Sequence, residues 1–198
     1  MAKPTLFSRL MGGFATLDPK SWRYKLACMV GYLLWGRPLG YLSWWPHGAR
    51  SAGILLFYKG KVLVGKRRGV DTAPGKYSTT GGFVNPRETF AQGAVREVFE
   101  ETGIVLLAVW FSHTNIFDIF ERCIHTAVQK DFVHTAFSWI HHLTDEQAAQ
   151  LLPETHEVSE FRWLDMAELE AMVAAGDMAF EHEVTRIRRA FAEGKHLP

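Results

Sequence analysis

Residues 82–104 read GFVNPRETFAQGAVREVFEETGI, and this stretch decides the fold. It predicts a helix over residues 90–102. Thr89 and Gln92 have the spacing of a capping box, in which each side chain bonds the backbone of the other. Gly103 is the residue type that commonly ends helices, because glycine adopts the left-handed conformation without strain. The beginning and the end of this helix are therefore both marked in the sequence.

Three glutamates lie near the end of the predicted helix. On an ideal helical wheel, Glu97 and Glu101 fall within about 40° of each other, and Glu100 lies about 60° further round on the outside. An apolar arc that includes Val98 and Phe99 points elsewhere, and we expect it to face the core. The three glutamates are then expected to face solvent.

This spacing of carboxylates needs an explanation, because like charges three or four residues apart on a helix repel by about 0.2–0.5 kcal/mol per pair. A divalent cation removes the repulsion. Mg²⁺ suits such a patch, since it binds a few carboxylates, keeps several waters and also binds substrate phosphates. For the three glutamates taken alone, an ordinary solvated surface is the alternative interpretation.

The whole stretch resembles the signature of the Nudix hydrolases: a glycine, five residues, a glutamate, seven residues, then Arg-Glu-apolar-x-Glu-Glu-x-Gly-apolar. Its fixed positions correspond to Gly82, Glu88, Arg96, Glu97, Val98, Glu100, Glu101, Gly103 and Ile104. The resemblance implies an α/β/α sandwich with a mixed sheet over residues 50–193. In that fold the signature forms a loop, a helix and a second loop.

The resemblance also implies a metal site. Glu97, Glu100 and Glu101 would hold Mg²⁺ or Mn²⁺, helped by a backbone carbonyl of Gly81 or Gly82. Glu97 is alternatively a candidate for polarising the attacking water, because the general base varies among members of the family.

Further catalytic candidates lie around these residues. By the resemblance, Arg96 would orient a glutamate through an ion pair, and Glu88 would brace the loop or bind metal through water. Glu157 and Glu160, in a late loop or strand, are candidates for another metal ligand or for the general base.

Substrate contacts are predicted from cations and aromatic residues. Lys66, Arg67 and Arg87 are candidates for binding phosphate, and Phe117 for stacking on a base. For Lys66 and Arg67 the alternative interpretation is a solvated strand end, and for Phe117 it is a position in the core. His134 is one of several histidines near the second half of the chain, for which strand-end or pocket positions are favoured over a metal site.

The stretch preceding the signature departs from many members of the family. Thr79 and Thr80 stand where Leu-Pro is common, so a rigidifying proline is replaced. Asn85 and Arg87 stand where an acidic residue and a glycine often follow, which adds a cation at the mouth of the expected site.

The remaining elements are predicted from apolar runs and turn residues. Strands are expected at 52–58, 61–66, 104–111, 114–120, 132–142 and 158–164, and helices at 145–152, 166–175 and about 180–192. A mixed sheet covered by helices follows from this order.

Residues 1–48 are predicted to form an N-terminal helical extension. Residues 26–36, LACMVGYLLWG, form an apolar run that is shorter than the ~20 residues of a membrane-spanning helix. We favour packing of this extension on its own domain or on a second subunit, giving a homodimer. An interfacial membrane helix over residues 20–46 is the less favoured alternative, supported by flanking cations and tryptophans.

The net charge and the cysteine content argue against some classes of partner and site. The 198 residues carry a formal net charge of +1, which argues against nucleic acid as a partner. Two cysteines without a CxxC pair indicate neither a zinc ribbon nor a disulfide framework, and a reduced cytoplasmic protein is expected.

The favoured function is metal-dependent hydrolysis of a phosphoanhydride in a small nucleoside diphosphate derivative, with ADP-ribose-like compounds as the first guess. A non-hydrolytic nucleotide sensor and a membrane-attached interaction module are the alternatives. A sensor would tolerate loss of the glutamates in the signature, and all are present.

Overall fold

The computed structural model describes residues 48–69, 72–85, 88–124 and 132–198. The predicted extension therefore lies outside the described residues except for Gly48, and so do residues 20–46 and Arg87. Within the described ranges, no helix has both the length and the apolar character needed to cross a membrane.

The described residues form one mixed sheet of seven strands. The strands are β1 (Gly48–Tyr58), β2 (Lys61–Arg67), β3 (Tyr77–Ser78), β4 (Thr80–Phe83), β5 (Asp118–Ile124), β6 (Phe132–His142) and β7 (Val158–Leu164). Their order is β3-β2-β1-β6-β5, while β4 pairs with β1 and β7 pairs with β2. β1 runs parallel to β6, and the other pairs are antiparallel.

Helices cover both faces of this sheet. They are α1 (Phe90–Thr102), α2 (Asp145–Ala148), α3 (Met166–Ala174) and α4 (Glu181–Ala192). α1 packs on one apolar cluster, and α3 and α4 pack on the other. The α/β/α sandwich expected from the sequence is therefore confirmed.

The central strand β1 shows why the sheet has two covered faces. Ile54 and Leu56 belong to the cluster beneath α1, whereas Leu55 and Phe57 belong to the cluster beneath α3 and α4. All four are almost fully buried, and each large apolar side chain that is buried gains about 1.5–3 kcal/mol. The near-continuous apolar run of β1 is thus explained by burial on both sides.

The strand predicted at 104–111 is wrong. Ile104 is buried and Val105 is exposed, but this alternation occurs in an irregular segment that ends in a 3₁₀ turn at Ala108–Trp110. The side chain of Gln150 accepts the N–H of Val105 at 2.9 Å, so this donor is satisfied by a side chain instead of a neighbouring strand.

Three smaller predictions also need correction. Phe99 does not face the core, because 54% of its surface is exposed. The strand predicted at 114–120 begins at Asp118 and runs to Ile124. The helix predicted at 145–152 ends at Ala148, after which the chain turns and the N–H of Leu152 bonds the carbonyl of Thr102 at 3.0 Å.

Candidate active site

The ends of α1 are set by local hydrogen bonds, as the sequence predicts. Thr89 Oγ1 accepts from the N–H of Gln92 at 3.1 Å, and the side chain of Gln92 accepts from the N–H of Thr89 at 2.9 Å. Gly103 ends the helix with φ of 80°, and its N–H bonds the carbonyl of Phe99. These caps fix the two ends of the helix that carries the three glutamates.

The three glutamates differ strongly in burial. The side chain of Glu100 is 55% exposed and that of Glu97 12%, while Glu101 as a residue is 8% exposed. The expectation that all three face solvent is therefore wrong for Glu101. Its Oε2 accepts the N–H of Gly81 at 3.0 Å, so the end of α1 is tied to strand β4.

Glycines let β4 approach both β1 and the glutamates. A Cβ atom on Gly82 would lie 2.5 Å from Glu97 Oε2, and one on Gly81 would lie 2.8 Å from the carbonyl oxygen of Ala52. Gly81 also has φ of 151°, which other residues rarely adopt. Any side chain at either position would displace the strand or the carboxylate.

Arg96 binds three carboxylates at once. Its Nη1 lies 2.7 Å from Glu97 Oε1 and 2.7 Å from Glu100 Oε2, and its Nε lies 2.9 Å from Glu88 Oε1. Its Nη2 donates to the carbonyl of Phe83 at 2.8 Å. The guanidinium group therefore connects the helix to the loop before it. The sequence predicted an ion pair of Arg96 with only one glutamate.

Burial and mutual repulsion perturb the carboxylates. Burial raises the pKa of Glu97, and the charges of Glu100 and Glu157 add to the effect. Burial raises the pKa of Glu101 still more, and the charges of Glu97 and Glu157 add to it. Burial alone would also raise the pKa of Glu88, but hydrogen bonds from Arg96 and the backbone of Asn85 lower it. The ionised forms of Glu97 and Glu101 are thus disfavoured unless a further positive charge is present.

This donor set fits a hard divalent cation, because carboxylate oxygens are its preferred ligands and the repulsion would be relieved. Among the described residues, however, no group of three or more His, Cys, Asp or Glu side chains is already arranged around a common point for a metal. Arg96 occupies an oxygen of Glu97 and an oxygen of Glu100. A cation would therefore compete with Arg96 for these two oxygens or bind the second oxygen of each carboxylate.

A cleft of about 900 Å³ opens over the carboxylates. That size is within the range of small-molecule sites. Many of the predicted site residues line it: Arg67, Gly81, Gly82, Arg96, Glu97, Glu100, Glu101 and Glu157. The structure therefore brings together residues that are up to 90 positions apart in the sequence (Arg67 to Glu157).

Arg67 is one of the residues that line the cleft. Its Nε donates to the carbonyl of Thr72 at 2.9 Å and its Nη1 to Ser78 Oγ at 3.3 Å. Burial raises the pKa of Glu101 and of Glu183, and the charge of Arg67 partly offsets this effect for both carboxylates, one from α1 and one from α4.

Three other predicted residues lie outside the lining of the cleft. Lys66 and Glu160 pair with each other, with Nζ 3.9 Å from Oε2, and Glu160 also accepts from Tyr77. Phe117 packs under Arg189, whose Cζ lies 4.7 Å from the ring centre. Arg87 is outside the described residues.

A second set of residues that line the cleft, named the aromatic wall, was not assigned to the site from the sequence. Phe180, His182 and Glu183 come from the start of α4, and Phe83 and His134 from β4 and β6. The rings of Phe180 and His182 are 5.6 Å apart, and those of Phe83 and His134 are 5.9 Å apart. For His134, Phe180 and His182 the only sequence signal was the residue type, whereas Phe83 lies inside the signature stretch, next to Gly82.

Comparisons with known proteins agree with this architecture. A family model described as the NUDIX domain matches residues 47–185. A comparison with curated proteins found no significant match. Because the family model covers well over half of the chain, the chain belongs to the Nudix family, and its class is that of the Nudix pyrophosphohydrolases.

Solved structures show the same fold. The chain is similar to the MutT protein from Methanosarcina mazei Go1, with 24% identity, a TM-score of 0.50, and coverage of 74% of this chain and 94% of that one. A NUDIX hydrolase from Nitrosomonas europaea is 18% identical, with a TM-score of 0.56 and coverage of 74% and 90%.

A bifunctional NMN adenylyltransferase/ADP ribose pyrophosphatase from Francisella tularensis, complexed with AMP and a manganese ion, is 16% identical, with a TM-score of 0.53. The similarity covers 88% of this chain and 50% of that one. At these identities the likeness concerns the fold.

Proposed function

We propose that this chain hydrolyses a phosphoanhydride bond in a nucleoside diphosphate linked to another group, and that it requires Mg²⁺ or Mn²⁺. The observation that carries the proposal is the cleft itself. It is lined by carboxylates of α1, by the guanidinium group of Arg67 and by the rings of Phe83, His134, Phe180 and His182. Such a cleft offers separate surfaces for a cation with phosphates and for a base.

The carboxylates of α1 are the proposed cation ligands. Glu97, Glu100 and Glu101 would hold the ion, with a backbone carbonyl of Gly81 or Gly82. When bound, the ion neutralises diphosphate oxygens and lowers the pKa of a water molecule. The burial of Glu101 supports this assignment, since a buried carboxylate with little compensation is costly unless an ion pairs with it.

Two carboxylates are candidates for the general base. Glu97 is mostly buried and has a raised pKa, which brings it closer to the value that suits proton transfer near neutral pH. Glu157 lines the cleft and is exposed, so it can reach water directly. Glu160 is less suited, because its carboxylate is bound by Arg162 and Tyr77.

Arg67 is the proposed partner of the remaining phosphate charge. Its guanidinium group lies in the cleft and its Cζ is 5.2 Å from the ring centre of Phe180. A phosphate near Arg67 would therefore place the attached nucleoside beside this ring. Lys66 is less suited to binding this phosphate, because it pairs with Glu160.

The aromatic wall is the proposed base site. Stacking of a base on an aromatic side chain contributes about 1–3 kcal/mol. Phe180 with His182, and Phe83 with His134, supply two ring pairs along this wall. An ADP-ribose-like compound is the first substrate to test, and the neighbour from Francisella tularensis, named as an ADP ribose pyrophosphatase, supports this order of testing.

Residues 50–193 are the proposed hydrolase domain. Gly48 begins β1, so the predicted extension of residues 1–48 is proposed to be helical only before that residue, and it is proposed to give a homodimer in the cytoplasm. The test is light scattering on the full chain and on a chain lacking residues 1–48. Altered assembly or aggregation is expected, and a truncated chain with unchanged mass and stability would contradict the proposal. Liposome co-sedimentation tests the membrane alternative.

The reaction is tested by a hydrolysis screen over nucleoside diphosphate derivatives, with Mg²⁺, with Mn²⁺ and with a chelator. We expect two phosphate-bearing products from at least one compound, and no product in the chelator. Tight nucleotide binding without turnover under all metal conditions would instead support a sensor.

A further inference from the structure

The segment that connects β3 to β4 is held by two buried glutamates from different helices. Glu101 of α1 accepts the N–H of Gly81 at 3.0 Å. Glu183 of α4 accepts the N–H of Thr79 at 3.1 Å. The two donors are only two residues apart, so carboxylates from opposite layers of the sandwich fix the same short segment.

Glu183 is built into the protein interior. It is 8% exposed, and its Oε1 lies 3.8 Å from Arg186 Nη2. Arg186 is equally buried and also donates to the hydroxyl of Ser138 on β6. Because buried charges are costly unless they are paired, this arrangement requires the partners that surround it. Glu183 therefore has one oxygen on the Thr79 N–H and the other near the guanidinium group of Arg186.

The segment needs such support, because Thr79 and Thr80 stand where a proline would stiffen the chain. Thr80 Oγ1 donates to the carbonyl of Ile54 at 2.7 Å, which anchors the segment to β1. The hydrogen bond from Thr79 to Glu183 anchors it to α4. These two contacts together restrain the backbone immediately before Gly81.

We propose that Glu183 is a positioning residue for the cation site: it fixes Thr79–Gly81, and through this segment the carbonyl of Gly81 and the carboxylate of Glu101. The inference rests on the proposed function, in which both groups belong to that site. Glu183 itself is not proposed to touch the cation. Groups that orient metal ligands from behind change metal affinity by about 10–100-fold when they are replaced.

The test compares three substitutions of Glu183. Glu183→Met keeps the length of the side chain and removes the acceptor, Glu183→Ala removes both, and Glu183→Gln keeps an acceptor for Thr79. Glu193→Ala is the matched control, because it removes a carboxylate at the other end of α4 that pairs with Arg189. Circular dichroism and thermal unfolding establish which variants fold, and Glu183→Met decides the question if Glu183→Ala does not.

The main readout is Mn²⁺ binding without substrate, measured by electron paramagnetic resonance. We expect Glu183→Met to weaken binding by about tenfold or more, and Glu183→Gln to stay within about threefold of the natural chain. The Mg²⁺ concentration for half-maximal activity should rise in parallel for Glu183→Met, with the substrate KM changed by less than about threefold. A merely structural role would lower stability without this change in metal affinity.

Three outcomes would overturn the inference. Unaltered Mn²⁺ affinity in a folded Glu183→Met chain overturns it alone. Equal losses in Glu183→Gln and Glu183→Met also overturn it, because charge and not the hydrogen bond would then be responsible. A natural chain that binds no Mn²⁺ overturns the proposed function, and this inference with it.

Discussion

The two walls of the cleft are built in different ways. The α1 wall comes from one helix, in which Arg96, Glu97, Glu100 and Glu101 lie within six consecutive residues. The aromatic wall combines β4, β6 and the start of α4, so its members are separated by about a hundred residues at the extremes, as Phe83 and His182 are. The proposed cation ligands are thus concentrated in a local motif, while the proposed substrate surface is assembled by the fold.

The walls also differ in what stabilises them. On the α1 wall, Arg96 holds carboxylates that would otherwise repel one another. On the aromatic wall, Phe83 contacts the ring of His134, Phe180 contacts that of His182, and His182 also stacks on Phe120 with ring centres 4.6 Å apart. Changes on the first wall should therefore affect turnover and metal binding, and changes on the second should affect substrate affinity.

The largest effect is expected from Glu101→Gln, which keeps the shape of the side chain and removes one charge of the proposed cation site. Turnover should fall by orders of magnitude while the fold survives, as measured by initial rates at saturating metal and by circular dichroism. Glu170→Gln is the control, since Glu170 is paired with Arg188 on the outer side of α3. Full activity of the natural chain in metal-free buffer would end this interpretation of the α1 wall.

Arg96→Met should have the next largest effect, because three carboxylates lose their common partner. We expect metal affinity or kcat to fall by about 10–100-fold, measured by Mn²⁺ binding and steady-state kinetics. Arg96→Lys keeps the charge but not the planar fork, so it should rescue only part of the loss. Full rescue by lysine would show that charge alone is needed.

Phe180→Ala tests the aromatic wall. Loss of one stacking surface should raise the KM of a nucleotide substrate by about tenfold, with little change in kcat. Trp110→Ala is a suitable control, because Trp110 is an exposed aromatic residue that stacks on His141 outside the cleft lining. A fall in kcat at unchanged KM would contradict the division of roles between the walls.

The smallest effect concerns pH and the stability of the metal-free chain. Burial, and then the charge of Glu97, raise the pKa of Glu101 in the folded state. The folded state therefore binds more protons than the unfolded state above the unfolded pKa, and the free energy of unfolding falls as pH rises towards the folded pKa. The slope from one such group is at most about 1.4 kcal/mol per pH unit.

We therefore expect the melting temperature of the natural chain in chelator to fall from pH 5 to pH 8 more steeply than that of Glu101→Gln. The difference between the two chains isolates this carboxyl group from others that titrate. Added Mg²⁺ should reduce the fall for the natural chain, because the ion stabilises the charged form. Parallel profiles of the two chains would contradict the assignment.

The sequence by itself determined what depends on neighbouring residues. The caps at Thr89 and Gly103 act within four residues, so the bounds of α1 were predicted correctly. The grouping of Glu97 and Glu101, with Glu100 further out, follows from helical periodicity and agrees with the observed exposures. The complete signature identified the family, which the family model confirms.

Only the tertiary structure decided the rest. The burial of Glu101 depends on β4, and the irregular path of 104–111 depends on Gln150. The contact between Glu183 and Thr79 joins residues 104 positions apart, and no local pattern indicates it. Helix periodicity and caps arise from forces between near neighbours in the chain. The burial of Glu101 and the aromatic wall depend on packing between segments that are distant in the chain. A local sequence pattern does not show which distant segments will meet.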